Sequence, residues 1–508
     1  MPKRINRRDA LKTSGWMAAL GLTPAATAAT SPSNEIYTRI GAKPFINLTA
    51  TYTINGGALT LPEVKRAMEE AGHWPVNLDE LMEKVGAHIA KLMGAESAMI
   101  TCGCAAALAH ATAGCVAGTD PEKMQQLPDL TGLRNEVVVA RQSRNQYDHA
   151  VRTVGVKMVE IQRPEELERA INDRTAMLFM LGTGESKGPV KLEHLVDAGK
   201  RHSLPVLVDA AAELPFVPNP YLARGADLVA YSGGKFLRGP QCAGALLGRK
   251  DLVRAAWANS SPHHAFGRMM KVGKEEIMGM VAALEVWRNS YDLKAEYKRW
   301  EGWFGDIASR VSRIDGVKTE IRPAAGASPF PVLNVEWDRT RTGITAGEVG
   351  RMLLDGSPRI MSHAEGEGTS FIIRPVAMKE GESKIVARRL EEVLRGAPKP
   401  VSKESVLPPS VDVAGDWQVN IAFEVGSTTH RLSLKMDGAR VTGAHHGRLA
   451  QGNVQGRVEG SEIHLRSGLR YEGSVLSYDF RGVVREGRIM GTVSLGEYGS
   501  AKFEAVRS

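Results

Sequence analysis

Residues 226–241 read ADLVAYSGGKFLRGPQ, and residues 204–212 read LPVLVDAAA. Each opens as a short apolar run of the kind that forms a strand buried on both faces. Each then ends on groups that such a strand cannot hide: Asp209 in one, Ser232 and Lys235 in the other. Asp209 and Lys235 stand 26 residues apart, the length of one crossover unit in a parallel sheet. Similar runs stand at 136–140 (EVVVA) and 175–181 (TAMLFML), with amphipathic stretches at 63–72, 165–172 and 192–202 among them. Strands alternating with helices predict an α/β domain on a mostly parallel sheet.

The polar residues at these strand ends suggest chemistry. Glycines around Lys235 let a flat ligand approach the backbone closely. A lysine amine in a partly dry pocket loses basicity and attacks carbonyls, as a Schiff base to pyridoxal phosphate requires. Alone, Gly233-Gly234-Lys235 fits a surface turn with a solvated lysine better. Asp209 changes that weighting. A carboxylate closing a buried strand is costly unless it meets a cation, and a protonated pyridine nitrogen is one. Ala211 leaves room under a ring. The alternative is a helix-capping aspartate and an unrelated lysine. A third stretch, Met99-Ile100-Thr101-Cys102-Gly103-Cys104-Ala105, turns from an apolar run into an Ala-rich helix. Backbone N–H groups at such a start favour a phosphate, although a plain strand–helix turn would look the same. Cys102 and Cys104 flank one glycine, too close for an easy mutual bridge, and no metal-ligand spacing accompanies them.

Together these stretches resemble the selenocysteine synthase-like group of pyridoxal phosphate enzymes. That group contains L-seryl-tRNA selenium transferase and D-glucosaminate-6-phosphate ammonia-lyase. The resemblance covers 36–395. It includes Phe45-Ile46-Asn47-Leu48-Thr49-Ala50-Thr51, Leu81-Met82-Glu83-Lys84-Val85-Gly86, Val208-Asp209-Ala210-Ala211-Ala212-Glu213, Ser232-Gly233-Gly234-Lys235, Gly239-Pro240-Gln241 and Gly267-Arg268-Met269-Met270-Lys271. It implies an aspartate aminotransferase-like fold type I domain, cofactor attachment at Lys235 and pyridinium pairing by Asp209. It also implies phosphate contacts around Thr101, Cys102, Gly103, Cys104 and Ser232. A homodimer or larger assembly is expected, with Arg268 a candidate to enter the partner's site. Ring-face cover is expected from 144–149; Ser143 stands where lyase-like relatives have a histidine, which leaves Tyr147 and His149. For a substrate carboxylate the candidates are Arg374, Arg238 and Arg144, with Gln241 beside them; structural ion pairs are the alternative for Arg374 and Arg238. Gly234 replaces the aspartate of the transferases' Ser-Gly-Asp-Lys, and no tRNA-binding region precedes the domain. Chemistry at the α-carbon of an amino acid or amino sugar is expected: ammonia elimination, or racemisation or a seleniumtransferase-like transfer. An exported, non-catalytic binding protein on the same fold is the alternative of another class.

The rest of the chain sets the context. It has 508 residues, 43% apolar and 24% charged, enough for more than one domain and too apolar for disorder. Four cysteines exclude a disulfide scaffold. The net charge is +8, and residues 1–29 carry +4 of it, so no nucleic-acid-binding face is expected. Asn6-Arg7-Arg8-Asp9-Ala10-Leu11-Lys12, a short apolar stretch and Ala26-Thr27-Ala28 resemble a twin-arginine export signal, which implies a periplasmic or secreted mature protein; an ordinary Sec signal or a basic tail on a cytosolic enzyme is the alternative. No later run approaches the ~20 apolar residues of a membrane span. The large enzyme domain is expected over 35–290, a smaller part over 291–395 and a Pro/Ser linker over 396–411. At 412–508, alternation and recurring Gly turns predict an antiparallel sandwich or small barrel, with Trp417, Tyr478 and Phe480 in its core. His263-His264 and His445-His446 are expected to be solvated, and Met278–Met280 to be core.

Overall fold

The computed structural model describes residues 34–325, 329–397 and 407–508. The export-signal expectation at 1–29 and most of the linker lie outside the described residues.

Seven strands form the central sheet: β1 (Ser97–Thr101), β2 (Glu136–Ala140), β3 (Lys157–Ile161), β4 (Thr175–Leu181), β5 (Val206–Asp209), β6 (Leu228–Ser232) and β7 (Gly244–Gly248). Their order is β1-β7-β6-β5-β4-β2-β3. Only β7 runs against its neighbours. The reason is local. Eleven residues join β6 to β7, too few for the crossover a parallel return needs. That return loop carries Lys235. The expected strands at 136–140 and 175–181 match β2 and β4 residue for residue. Val137, Val138 and Val139, Met177 to Met180 and Val208 are fully buried, as a sheet covered on both faces requires. Val64, Ile89, Leu195, Ile277 and Met280 on the flanking helices pack against it. Met280 is core, as expected.

A second core gathers around three antiparallel strands, β8 (Val317–Arg322), β9 (Val332–Trp337) and β10 (Ser370–Ile373). The helices Leu293–Val311 and Glu382–Arg395 supply Trp300, Trp303, Phe304, Val386 and Leu390 to it. Ile46, Leu48 and Ala50 belong to this core too, because Ile46 and Asn47 pair in parallel with Ile360 and Met361. The segment that opens the enzyme region thus returns to the smaller lobe and then runs back over the Lys235 loop.

The C-terminal strands β11 (Gly415–Ala422), β12 (Ser427–Asp437), β13 (Arg440–His446), β14 (Gln451–Glu459), β15 (Glu462–Tyr471), β16 (Ser474–Arg485), β17 (Arg488–Ser494) and β18 (Ser500–Arg507) close into a barrel. Pairing of β11 with β18 removes both free edges, so the choice between sandwich and barrel is resolved as a barrel. Trp417, Val419, Ile421, Leu465, Phe480 and Val493 fill the interior. Asp437-Gly438, Glu459-Gly460, Glu472-Gly473 and Glu486-Gly487 all fall at hairpin tips.

Two histidine expectations need correction. His445 is fully buried, because its strand position points into the barrel, where it bonds His430 at 2.9 Å and Ser467 at 2.6 Å. His263 is half-buried and tied to Asp79 and to the Trp257 carbonyl, both at 3.0 Å. Burial, with His430 and His446 nearby, depresses the His445 pKa to about 3. An unfolded histidine titrates near 6.5, so between those values the unfolded chain binds the extra proton. Stability contributed by neutral His445 is complete above about pH 6.5 and is lost as pH falls toward 3. Thermal midpoints at pH 7 and pH 5 should therefore fall further in the wild type than in His445→Asn. Equal falls would refute the assignment.

Candidate active site

The carboxyl ends of β1, β5 and β6 meet at one edge of the sheet, where ligands of open α/β sheets bind. Asp209 ends β5 and is 2% exposed. Its Oδ1 accepts from the Ala211 N–H at 3.0 Å, and the Cys104 thiol approaches at 3.6 Å. Burial pushes the Asp209 carboxyl up, against the pull of Ala211, the Lys235 ammonium and Cys104. Burial and Asp209 in turn push the Cys104 thiol well up, so it stays neutral. A buried carboxylate held beside a lysine still calls for a cation.

Lys235 is half-buried in the return loop. The loop is fastened by Gly233 N–H to the Ala243 carbonyl at 2.8 Å and by Gly239 N–H to the Gly233 carbonyl at 2.9 Å. Residues 57–61 cross over it: Ala58 N–H donates to the Gly234 carbonyl, and Leu61 N–H to the Arg238 carbonyl. A side chain at Gly57 or Gly234 would run into the Gln241 carboxamide, so Gln241 sits wedged between these two glycines. Arg238 donates its Nε to the Leu59 carbonyl at 2.9 Å, which makes it a clamp of this loop.

The phosphate turn follows β1. Thr101 is buried and donates to the Gly103 carbonyl at 2.8 Å. Cys102 precedes the helix Gly103–Ala117 and makes no side-chain cap, which leaves first-turn N–H groups open to an anion. A side chain at Gly244 would collide with the Gly103 and Cys104 backbone, so β7 needs glycine there. Ser232 is half-buried at the end of β6, paired with Gly244.

Tyr147 places its ring 5.7 Å from the Lys235 ammonium. His149 is exposed at the start of the short helix His149–Arg152, and Ser143 is buried with its hydroxyl unpartnered. Arg268 is exposed and touches Ser261 at 3.3 Å. Arg144, expected as a substrate contact, is instead caged. Its Nε meets Asp148 at 2.6 Å, Nη1 meets Glu160 at 3.3 Å and Nη2 meets Glu472, which leaves no fork for a substrate.

Arg374 follows β10, and its N–H donates to the Leu48 carbonyl at 3.0 Å. Its Nη1 is buried without a partner, and so is Nε2 of His363. Burial, and after it the Arg374 charge, depresses the pKa of His363, whose ring meets Tyr52 edge-on at 4.5 Å. His363 and Tyr52 were not expected here; Met361-Ser362-His363-Ala364 carries no local motif, and the opening segment brings these residues together by pairing Ile46 with Ile360 and bridging Thr49 to Arg374. Glu213 is a further half-hidden group: Tyr221 donates to its Oε2, and its Oε1 is buried and unpartnered. Among the described residues, no cluster of three or more His, Cys, Asp or Glu could hold a metal. The residues present do fit pyridoxal phosphate: an amine for its aldehyde, a buried carboxylate for its ring nitrogen, a small residue, Ala211, hydrogen-bonded to that carboxylate, and an open helix start for its phosphate.

The family model described as Cys/Met metabolism PLP-dependent enzyme matches residues 46–271. D-glucosaminate-6-phosphate ammonia lyase of Salmonella typhimurium is 30% identical over 376 residues, 72% of this chain and 99% of that one. This chain belongs to that family of pyridoxal-phosphate enzymes. A solved D-glucosaminate-6-phosphate ammonia-lyase structure superposes with a TM-score of 0.64 over the same shares. A 5'-C-glycyluridine monooxygenase-decarboxylase of a Streptomyces species is 31% identical over 74% of this chain and 96% of its own length. The L-seryl-tRNA(Sec) selenium transferase of Moorella thermoacetica is 25% identical over 71% and 83%. As a member of the family, the chain uses pyridoxal phosphate and has the fold type I architecture. No helix among its described residues is long and apolar enough to cross a membrane.

Proposed function

We propose that the chain is an exported lyase that releases ammonia from an amino acid or amino sugar, working as a homodimer or larger assembly. The observation that carries this is the buried Asp209 beside Lys235, in a chain that spans 99% of an ammonia lyase at 30% identity. Bound pyridoxal phosphate withdraws electrons from the carbon bearing the substrate amine. Lys235 anchors it and then carries the α-proton. Asp209 holds a proton at the ring nitrogen, the turn at Cys102–Cys104 binds the phosphate, and Tyr147 covers one face. The unpartnered Nη1 of Arg374 meets the substrate carboxylate, with His363 Nε2 beside it. An α-amino-β-hydroxy substrate loses its α-proton and β-hydroxyl as water; water then returns, and a 2-oxo product and ammonia leave with no net oxidation. The Arg-Arg stretch at 7–8 supports export by the twin-arginine route, and the exposed Arg268 supports an assembly in which it reaches a second copy.

The test is a panel of D- and L-serine, threonine and glucosaminate, followed by ammonia release and by α-proton exchange in deuterated water. One substrate should release ammonia and a 2-oxo acid in equal amounts. Arg374→Ala should raise its KM about 10–100-fold, the loss of a charge-assisted hydrogen bond. Exchange with inversion and no ammonia would make the chain a racemase. No exchange with any amine would leave the binding-protein reading.

A further inference from the structure

The ammonia lyase relative covers 72% of the chain, and the family match at residues 46–271 ends well before the barrel begins at Gly415. Its hairpin tip between β15 and β16 nevertheless reaches the active-site turn. Glu472 completes the cage around Arg144, whose side chain is 4% exposed. Asp148 and Glu160 occupy two guanidinium nitrogens, and without Glu472 the third would be buried with no partner, which is costly for a charged group. Beside it, a side chain at Gly473 would fall inside the backbone of Asn145. The φ of Gly473 lies outside the left-handed region, so the hairpin itself does not require glycine there; the contact with Asn145 does. Glu472, by contrast, adopts φ +52, a conformation unfavourable for a residue with a side chain. At this tip the strained position is occupied by an acid and the relaxed one by glycine. Glu486 takes the same conformation, φ +50, at the next tip, so the two-residue hairpin sets the Glu472 backbone, and the contact with Asn145 is what requires glycine at 473.

Asn145 is where that contact matters. Its Oδ1 accepts from Tyr147 N–H at 2.7 Å, and its carbonyl accepts from Asp148 N–H at 3.2 Å. The turn it organises carries the tyrosine that lies over Lys235. We propose that the barrel completes the active site of its own chain: Glu472 and Gly473 are positioning residues that lock the turn 144–149, and with it Tyr147, over Lys235. The barrel is thus a built-in clamp on the cofactor's exposed face, and neither residue touches the reacting atoms.

The test uses the full-length protein loaded with pyridoxal phosphate, comparing Gly473→Ala and Glu472→Gln with the wild type. Glu486→Gln, the same change at the next hairpin tip, is the control. Hydroxylamine should strip the cofactor about tenfold faster from both tip variants, the scale of a small misplacement near a reacting centre. The visible circular dichroism of the bound cofactor should weaken in both, while the control stays at wild-type values. Wild-type stripping rates and dichroism in Glu472→Gln would overturn the proposal, even if Gly473→Ala failed to fold. The proposal rests on Lys235 holding the cofactor, and Lys235→Ala separates the two failures. If that variant keeps the absorption band, both readings fall. If it loses the band while the tip variants match wild type, the clamp alone falls.

Discussion

Lys235→Ala will lose the near-visible absorption band of the bound cofactor and lower turnover by about 10⁴-fold, the upper range for removing a positioned proton carrier. The expectation follows from how the lysine is held. Its loop is the short return between β6 and β7, pinned at Gly233 and Gly239 and covered by residues 57–61. The backbone is fixed by glycine contacts and main-chain hydrogen bonds, not by the amine, so the substitution leaves the fold intact. Alanine removes both the anchor and the group that moves the α-proton. Far-ultraviolet dichroism should match the wild type, and a free cofactor spectrum should replace the bound one. A variant that retained both the band and activity would place the chemistry elsewhere.

Asp209→Asn has the second largest expected effect, and its sign changes with the cofactor. In the cofactor-free chain, burial raises the carboxyl pKa, so the folded state holds the carboxyl proton to higher pH than the unfolded chain does. The stability this contributes is full at pH below the ordinary carboxylate value and declines as pH rises through the raised one. Asparagine is neutral and nearly isosteric, so the empty protein should be as stable as wild type at pH 7, or more so. With the cofactor bound, Asp209 faces a ring cation, and the same substitution should weaken cofactor affinity and reduce turnover by about 10³-fold, the scale of losing one preorganised electrostatic partner. Thermal melts with and without pyridoxal phosphate check this directly. A loss of stability in the empty protein alone would mean that Asp209 serves the fold and not the cofactor.

Much of this site was legible in the sequence because its parts are local. A buried strand that ends on Asp209, a glycine-flanked Lys235 after the next strand and a glycine turn at 103 each announce themselves within ten residues. The alternating pattern of 412–508 was equally plain, since interior and exterior positions of a barrel differ by one residue. What escaped is non-local. His363 joins Arg374 because the opening segment pairs with Ile360 and Met361 on one side and bridges to Arg374 on the other. Arg144 looked free because its third carboxylate, Glu472, lies 328 positions away in another domain. His445 looked solvated because one position of strand register decides whether a histidine points out or in.

The most direct test of the central claim is to reduce the cofactor-loaded protein with borohydride and map the modified peptide by mass. The pyridoxyl group should be found on one residue, Lys235, within the peptide that contains Ser232-Gly233-Gly234. Modification of another lysine, or none after full reconstitution, would contradict it.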